Sequence, residues 1–243
     1  MIVFNAGVPR SGTVLLGAIV RNLFEGQGIA VTQHNPHGPQ LPQLMARLSE
    51  SADEKVGVHL VHTHNWWDGM DQWISDPNRD VTGFLCHRYP RDVCVSLMRL
   101  HDQTFEEASN LTLGCYAHFS WMRAETAWPL VDYRDMKTGK QQQIRRIASH
   151  LGIQVSNDRV HEIDEATSVE RHREIMNRVR DGKVARIIEH HNKRRVLRED
   201  ADSLINDRHI QSGELGRWRL ELTPEQQVKA SEIFADYIGL SIE

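Results

Sequence analysis

The chain has 243 residues, of which 40% are hydrophobic and 26% are charged, and its formal net charge at pH 7 is −4. This length and apolar content predict one α/β domain over residues 1–243, and the slightly acidic balance excludes a general affinity for nucleic acid. No apolar run approaches the ~20 residues that cross a membrane, no room for a signal peptide precedes the first strand, and the three cysteines lack paired spacing, so we expect a cytoplasmic protein with buried thiols.

The first predicted elements are a strand, a tight loop and a helix. An apolar, β-prone run over residues 2–4 precedes three turn formers, Gly7, Pro9 and Gly12, and apolar residues then recur at helical spacing. Such a loop directs backbone N–H groups and the positive end of the helix dipole at one point, which forms an anion site and usually a phosphate site. An ordinary strand-to-helix turn has the same pattern, so this loop alone does not decide between the two.

The loop differs from the ATP- and GTP-binding loop, G-x-x-x-x-G-K-[ST], at the positions that bind the triphosphate and the metal. Gly7 and Gly12 have the required separation. Thr13 replaces the phosphate-binding lysine, and Val14 replaces the hydroxyl that binds magnesium. A cation is present inside the loop instead, at Arg10. The pattern therefore predicts a nucleotide that is bound without a metal.

Two histidines close the next long apolar run. Before them the sequence predicts a strand over 29–32, a short helix over 41–48 and a buried strand over 56–63. His62 and His64 are two residues apart, so we expect both on one face at the carboxyl end of the strand, where ligands bind in open α/β sheets. Three interpretations stay open: polar residues satisfied at a strand end, a zinc pair with a third ligand such as His34 or His37, and His64 as a general base.

A second cationic site is predicted where the apolar strand 81–87 ends. Arg88 lies at the strand tip, Pro90 suits the first position of the following helix, and Ser96 comes about two turns into that helix. An arginine beside a helix start is well placed to bind a second phosphate. We expect the neighbouring Arg91 and Arg99 to be solvated.

The remainder of the chain predicts helices, one further strand and a charged segment. The helices are predicted over 104–128, 136–151 and 224–238, with one or two more over 156–180, and the strand is predicted over 130–133. Residues 181–207 are rich in charge, which is typical of a solvated face or a mobile loop. Thr223, Pro224 and Gln226 form a capping pattern at the start of the last helix.

Five segments resemble, in the same order along the chain, motifs of the sulfotransferases that use 3'-phosphoadenosine 5'-phosphosulfate (PAPS). Residues 9–13 resemble the loop that holds the 5'-phosphosulfate, and Thr63-His64 resembles the strand end that carries the catalytic base. Residues 88–96 resemble the 3'-phosphate motif, in which the arginine and the serine bind that phosphate. Residues 133–137 resemble the segment whose tyrosine lies near the adenine, and residues 213–219 resemble the late motif that closes over the nucleotide.

The chain departs from the family pattern at four places. Arg10 replaces the lysine of the first loop, as in the Golgi tyrosylprotein members, and Leu15 replaces an aromatic residue that often follows this loop. His62 replaces the lysine two residues before the base. Gln211-Ser212-Gly213 replaces the Arg-Lys-Gly of the late motif, which weakens the clamp on the 3'-phosphate.

The resemblance implies transfer of a sulfuryl group from PAPS to a hydroxyl or amine, with adenosine 3',5'-bisphosphate as the product and no metal. His64 is the implied general base, and His62 is expected beside the leaving group. The leaving phosphate is assigned to the loop residues Arg10, Ser11, Gly12, Thr13 and Val14. The 3'-phosphate and the adenosine are assigned to Arg88, Ser96, Tyr133, Ser212 and Gly213. The acceptor is a small molecule, a glycan or a lipid, and the sequence identifies neither it nor the oligomeric state.

The implied fold is a three-layer, P-loop-like α/β domain, with a mainly parallel sheet of about five strands between helices. Three other functions remain: a P-loop-type kinase, a zinc hydrolase centred on His62 and His64, and a nucleotide-binding protein without turnover. A kinase would need the lysine and the metal ligand that Thr13 and Val14 replace. Metal analysis would test the zinc hydrolase, and His64 argues against a protein without turnover.

Overall fold

The computed structural model describes residues 1–36, 40–50, 57–65, 69–182, 186–189, 196–200, 204–205 and 213–239. Three residues named from the sequence lie outside the described residues. They are Ser212, assigned to the nucleotide, its neighbour Gln211, and His37, considered as a metal ligand.

The main sheet consists of β1 (Ile2–Gly7), β2 (Val31–His34), β3 (Val58–Thr63), β4 (Val81–His87) and β5 (Leu130–Asp132). These five strands are all parallel and lie in the order β2-β3-β1-β4-β5. Two further strands, β6 (Arg186–Glu189) and β7 (Val196–Glu199), form a separate antiparallel pair. The predicted α/β class with a mainly parallel sheet is confirmed.

Helices connect the strands and complete the chain. They are α1 (Thr13–Glu25), α2 (Gln40–Glu50), α3 (Met70–Ile74), α4 (Pro90–His101), α5 (Phe105–Glu125), α6 (Tyr133–Thr138), α7 (Lys140–His150), α8 (Asn157–Ala166), α9 (Val169–Arg180), α10 (Trp218–Glu221), α11 (Pro224–Ile233) and α12 (Ala235–Ile238). The capping pattern predicted for the last long helix is present, because the Thr223 hydroxyl accepts from the Gln226 amide at 3.3 Å.

Helices cover both faces of the sheet, which gives the three layers expected of this class. Along β1, Val3 belongs to the core beneath α1, α7 and α8, whereas the adjacent Phe4 belongs to the core beneath α2, α4 and α5. Both side chains are fully buried, as the alternation of a strand covered on both sides requires. Burial of one such side chain stabilises the fold by about 1.5–3 kcal/mol.

The strand order places the loop after β1 at the centre of the molecule. β1 lies between β3 and β4, and Gly7 at its end is paired with Cys86 of β4. Because all five strands are parallel, their carboxyl ends meet at one edge of the sheet. Residues that follow β1, β3, β4 and β5 are therefore brought together there.

Several predicted elements differ from the structure, among them the last helix, predicted over 224–238, which is divided at Phe234. The strand predicted over 29–32 begins at Val31, because the Ile29 amide bonds to the Phe24 carbonyl at the end of α1. The single helix predicted over 136–151 is divided at Gly139, whose amide caps α6 through the Asp135 carbonyl. The charged segment 181–207, predicted as a solvated face or mobile loop, contains β6 and β7, since two short apolar pairs lie within the charged run.

A helix can cross a membrane only if it is long and apolar enough. Within the described ranges, no helix is both long enough and apolar enough to cross a bilayer.

Gly7→Ala is expected to destabilise the protein, because the added Cβ would lie 2.2 Å from the Cys86 carbonyl oxygen. That neighbour is backbone and cannot rotate away, so one strand must shift, and overpacking of this kind costs about 1–3 kcal/mol. Gly114→Ala in α5 is the control, since no described atom lies within 4 Å of its Cβ position and alanine favours a helix. Urea denaturation measures both variants, and an unchanged free energy of unfolding in Gly7→Ala would contradict this close approach of β1 to β4.

Candidate active site

The loop between β1 and α1 runs from Val8 to Gly12 and is held both internally and by β4. The Ser11 hydroxyl donates to the Val8 carbonyl at 2.6 Å, and the Cys86 thiol donates to the Ser11 carbonyl at 3.1 Å. Burial raises the pKa of Cys86 to about 12, so the thiol keeps the proton that it donates. Arg10 has a φ of 68°, a left-handed conformation that costs about 1–2 kcal/mol in a residue with a Cβ. Strain of this kind is typical of functional loops.

The start of α1 presents backbone amides without a side-chain cap. Gly12 is the N-cap, with a φ of 94°. A Cβ at this position would lie 2.7 Å from the Tyr133 ring, so only glycine allows Tyr133 to pack against the loop. The amides of Thr13 and Val14 follow at the positive end of the helix dipole. This geometry suits an anion.

Arg10 and Arg88 approach each other across the gap between the loop and the tip of β4. Arg88 Nη1 donates to the Arg10 carbonyl at 3.2 Å, and Arg10 Nε donates to the Ser96 hydroxyl of α4 at 2.9 Å. Burial, together with the positive charge of Arg88, lowers the pKa of Arg10 to about 10. Two cations are thus held in one partly buried place, where the charge of Arg88 disfavours that of Arg10.

The Arg88 side chain is only 8% exposed and has one unsatisfied donor. Its Nη2 donates to the Glu214 carbonyl at 3.1 Å, and its guanidinium carbon lies 4.5 Å from the centre of the Tyr133 ring. Its Nε is buried and has no hydrogen-bond partner within the described part of the chain. A buried donor without a partner is costly, which makes Arg88 a candidate anion ligand.

Hydrogen bonds hold the segment that begins at Gly213 beside Arg88. The Asp92 carboxylate accepts from the Gly216 amide at 2.9 Å and from the Trp218 amide at 3.4 Å. The Tyr133 hydroxyl donates to the Gly213 carbonyl at 3.1 Å. On the opposite side, the Tyr116 hydroxyl donates to the Arg88 carbonyl and fixes the strand tip. Four elements therefore converge on Arg88.

Two arginines expected to be solvated make specific contacts. The Arg91 guanidinium lies 4.2 Å from the centre of the Trp218 ring, a cation–π geometry. Arg99 forms an ion pair with Glu221 at 2.5 Å while remaining 39% exposed. Arg99 is exposed as expected, whereas Arg91 is half-buried and packs on Trp218, a contact with a distant residue that has no signal in local sequence.

His64 lies in a bend directly after β3, beside the loop. Its Nδ1 is 2.8 Å from the Gly7 carbonyl oxygen, which can only accept a hydrogen bond. Nδ1 therefore carries the proton in the neutral ring, and Nε2 carries the lone pair. This is the tautomer that a general base needs if it acts through Nε2.

His62 does not lie beside the loop, where it was expected. It is 5% exposed and sits beneath α1, where its Cε1 occupies the space that a Cβ on Gly17 would need. Its Nδ1 accepts from Asn5 Nδ2 at 3.1 Å, and its Nε2 donates to Gln33 Oε1 at 3.0 Å. Burial and the nearby His64 lower the pKa of His62 to about 3, so the ring is neutral. The prediction failed because periodicity gives the face of a strand but not how closely a helix covers it.

The structure does not assemble the predicted zinc site from the residues it describes. Both ring nitrogens of His62 are already used. His34 pairs with His59 instead, with 3.1 Å between Nε2 and Nδ1, and burial lowers the pKa of His34 to about 4. Among the described residues there is no group of three or more metal-binding side chains.

Most of the residues assigned from the sequence lie at this one edge of the sheet. They are Arg10, Ser11, Gly12, Thr13 and Val14 in the loop and first turn, His64 after β3, Arg88 and Ser96 at β4 and α4, and Tyr133 with Gly213. Sequence reasoning missed Asp92 and Tyr116 as supports of Arg88. Asp92 had only a helix-start signal, and Tyr116 lies mid-helix with no local signal at all.

Comparison with known proteins gives one family and a set of similar folds. A family model described as "Sulfotransferase domain" matches residues 2–241. No curated protein sequence matches the chain significantly.

Three solved structures illustrate the likeness of fold. Mouse sulfotransferase SULT7A1, complexed with PAP, has a TM-score of 0.67 and 16% identity, over 99% of this chain and 85% of that chain. Retinol dehydratase in a complex with retinol and PAP has a TM-score of 0.61 and 17% identity, over 98% and 81% of the two chains. The same enzyme with androsterone and inactive cofactor PAP has a TM-score of 0.59 and 16% identity, over 98% and 80%.

Acidification is expected to destabilise the protein partly through His62. The folded protein protonates His62 only near pH 3, whereas an unfolded chain does so near 6.5, so the unfolded state binds more protons between these values and stability falls as the pH falls. One such histidine contributes a slope of about 1.4 kcal/mol per pH unit within this window. His62→Gln should flatten the slope in urea denaturations from pH 7 to 4, and the exposed His118→Gln should not. Equal slopes in wild type and His62→Gln would contradict the buried neutral ring.

Proposed function

The chain belongs to the sulfotransferase family and is an enzyme of that family, and from this premise we propose that it transfers a sulfuryl group from PAPS to a hydroxyl or amine of its acceptor. The product of the donor is then adenosine 3',5'-bisphosphate. This product, abbreviated PAP, is the ligand named in all three of the similar structures, which supports this choice of donor.

The observation that best supports this donor is the approach of Arg10 and Arg88. Two guanidinium groups in a partly buried place repel each other, and the pKa of Arg10 is lowered first by burial and then by the charge of Arg88. An anion between them removes that cost, and the orphaned Arg88 Nε supplies a donor for it. A donor with phosphate groups at both ends of its ribose matches two cationic positions supplied by β1 and β4.

The chain's residues divide between the two phosphate positions. The Gly12, Thr13 and Val14 amides are proposed to bind the phosphate on the 5' side, where the α1 dipole favours negative charge, and Ser11 is proposed to line this position. Arg88 and Ser96 are proposed to hold the 3'-phosphate. Arg10 bonds to Ser96 and belongs to the loop, so its charge serves both positions. The Val14 side chain has no oxygen to offer a magnesium ion, in agreement with a site that works without one.

Tyr133 and the late segment are proposed to line the adenosine. Tyr133 packs against the Gly12 position and bonds to Gly213, so it joins the loop to that segment. Ser212 precedes Gly213 in sequence and keeps its assignment from the resemblance.

His64 is proposed to accept the proton of the acceptor through Nε2. The Gly7 carbonyl holds Nδ1–H, which both orients the ring and leaves the basic nitrogen on the other side. Gly7 ends β1 directly before the phosphate loop, so the same residue positions both the base and the start of the loop. PAPS supplies an activated sulfuryl group, and the chain positions it, neutralises the departing phosphate and removes the proton.

A small molecule with a hydroxyl group is the proposed acceptor class. Retinol and androsterone, named in two of the similar structures, are such molecules. Incubation with radiolabelled PAPS and a chelator, against panels of alcohols, phenols, amines, glycans and lipids, tests the function. Labelled product from a small hydroxyl compound supports it. A chain that binds only ATP, and only with magnesium, would overturn it.

Arg88→Ala should weaken adenosine 3',5'-bisphosphate far more than AMP, because only the former carries the phosphate assigned to Arg88. Truncation of a buried, charge-assisted contact costs roughly 2–5 kcal/mol. Isothermal titration calorimetry in a chelator measures both ligands, with Arg99→Ala as the control for loss of an α4 cation outside the site. Equal weakening of the two ligands would remove Arg88 from the 3'-phosphate.

His64→Ala should lower the turnover number by about 10²–10⁴-fold, the usual contribution of a positioned general base. Bisphosphate affinity should change little, since the basic nitrogen is assigned to the acceptor. His59→Ala is the matched control, because this histidine of β3 pairs with His34 away from the loop. Near-normal turnover in a folded His64→Ala variant would exclude His64 as the base.

A further inference from the structure

A buried polar pair lies one residue behind the proposed nucleotide ligands. His87 ends β4 immediately before Arg88, and Asp132 ends β5 immediately before Tyr133. The two residues are register partners in the sheet, and His87 Nδ1 donates to Asp132 Oδ2 at 3.1 Å. His87 is fully buried, and Asp132 is 8% exposed.

Asp132 also connects this pair to Tyr133, whose ring lies against the Arg88 guanidinium. Its second oxygen, Oδ1, accepts from the Arg134 amide at 2.7 Å and caps α6, the helix that begins with Tyr133. The Arg88 guanidinium stacks on the Tyr133 ring. One carboxylate therefore sets the tip of β4 and the start of α6 relative to each other.

Asp132 is held in its ionised form despite burial. Burial alone would raise the pKa of Asp132, but hydrogen bonds from His87 and from the Arg134 amide lower it below its ordinary value. The acceptor capacity of both oxygens is thus available at neutral pH. Its two contacts are directional, unlike those of an apolar side chain.

The pair is poorly explained as packing alone. His87 lies against the rings of Tyr116 and Phe119, and its Nε2 is a buried atom without a hydrogen-bond partner in the described part of the chain. Buried ionic and polar pairs are often replaced by apolar residues with no loss of stability. A polar pair retained at this point is consistent with a need for fixed geometry.

We infer that His87 and Asp132 are positioning residues that hold the Arg88 guanidinium in place for the 3'-phosphate of the nucleotide. The inference rests on the proposed function, because it requires that Arg88 bind this phosphate. The pair acts on Arg88 in two ways. It fixes the backbone at the end of β4, where the Tyr116 hydroxyl also bonds to the Arg88 carbonyl. It also positions α6, whose first residue, Tyr133, packs its ring against the Arg88 guanidinium. A bidentate or charge-assisted contact is sensitive to displacement, so a small shift of the tip weakens it.

The test is the ratio of the affinities for adenosine 3',5'-bisphosphate and AMP, measured by calorimetry at a temperature where every variant is folded. Asp132→Ala and His87→Leu should each lower this ratio by about tenfold or more, since displacement of a positioned contact has effects of this size. His87→Leu leaves the cap on α6 in place and so separates the pair from the cap. Val131→Ala, on the same strand but facing the other core, is the control for simple destabilisation.

A conservative variant supplies the second readout. Asp132→Asn can still cap α6 and can donate to His87 Nδ1 once the ring proton moves to Nε2, so it should retain most of the ratio. A role in stability alone predicts instead that all variants, including Val131→Ala, lower the melting temperature and leave the ratio unchanged.

The double variant Arg88→Ala/Asp132→Ala decides whether the pair acts through Arg88. Its ratio should equal that of Arg88→Ala alone, because the positioned group is already gone. The inference is overturned if Asp132→Ala and His87→Leu keep the wild-type ratio while Arg88→Ala loses it, or if the losses add in the double variant. If Arg88→Ala itself keeps the ratio, the proposed phosphate assignment fails and the inference fails with it.

Discussion

The proximity of the Arg10 and Arg88 side chains is the constraint on which the account of this site depends. They come from the loop after β1 and the tip of β4, and the first donates to Ser96 while the second donates to the backbone of the first. Burial of like charges costs free energy unless an anion is present. Arg88 Nε, which has no hydrogen-bond partner among the residues that the structure describes, adds to this cost. In the proposed function, a doubly phosphorylated nucleotide brings negative charge to both cations and offsets their repulsion.

The rest of the structure secures that arrangement. β1 approaches β4 so closely that Gly7 has no room for a Cβ, and Cys86 bonds to the loop from the same strand. The Tyr116 hydroxyl bonds to the carbonyl of Arg88, which directly follows β4. Asp132 at the end of β5 bonds to His87 at the end of β4. The groups that make these contacts are not among those assigned to the nucleotide. Some residues are thus proposed to bind the nucleotide, and others to support them. A need for such support explains why polar groups are buried on both sides of Arg88, where apolar residues would otherwise suffice.

Contiguous signals in the sequence were sufficient for the loop and, together with the family resemblance, for the fold class. Turn formers followed by helical periodicity identified the first strand, loop and helix, and the strand 81–87 was predicted with its observed bounds. Contacts between distant segments were not predictable. Asp92 bonds to the Gly216 amide, and His87 bonds to Asp132, across separations that carry no local pattern. His62 was misplaced for a related reason, since the closeness of α1 depends on Gly17, a residue far from the histidine in sequence.

A crystal structure of the protein with adenosine 3',5'-bisphosphate, grown in the presence of a chelator, tests the central claim most directly. The account predicts the 3'-phosphate within hydrogen-bond distance of the Arg88 guanidinium and the Ser96 hydroxyl, and the 5'-phosphate at the amides of Gly12, Thr13 and Val14. The bisphosphate bound in the reverse orientation, or away from both arginines, would contradict it.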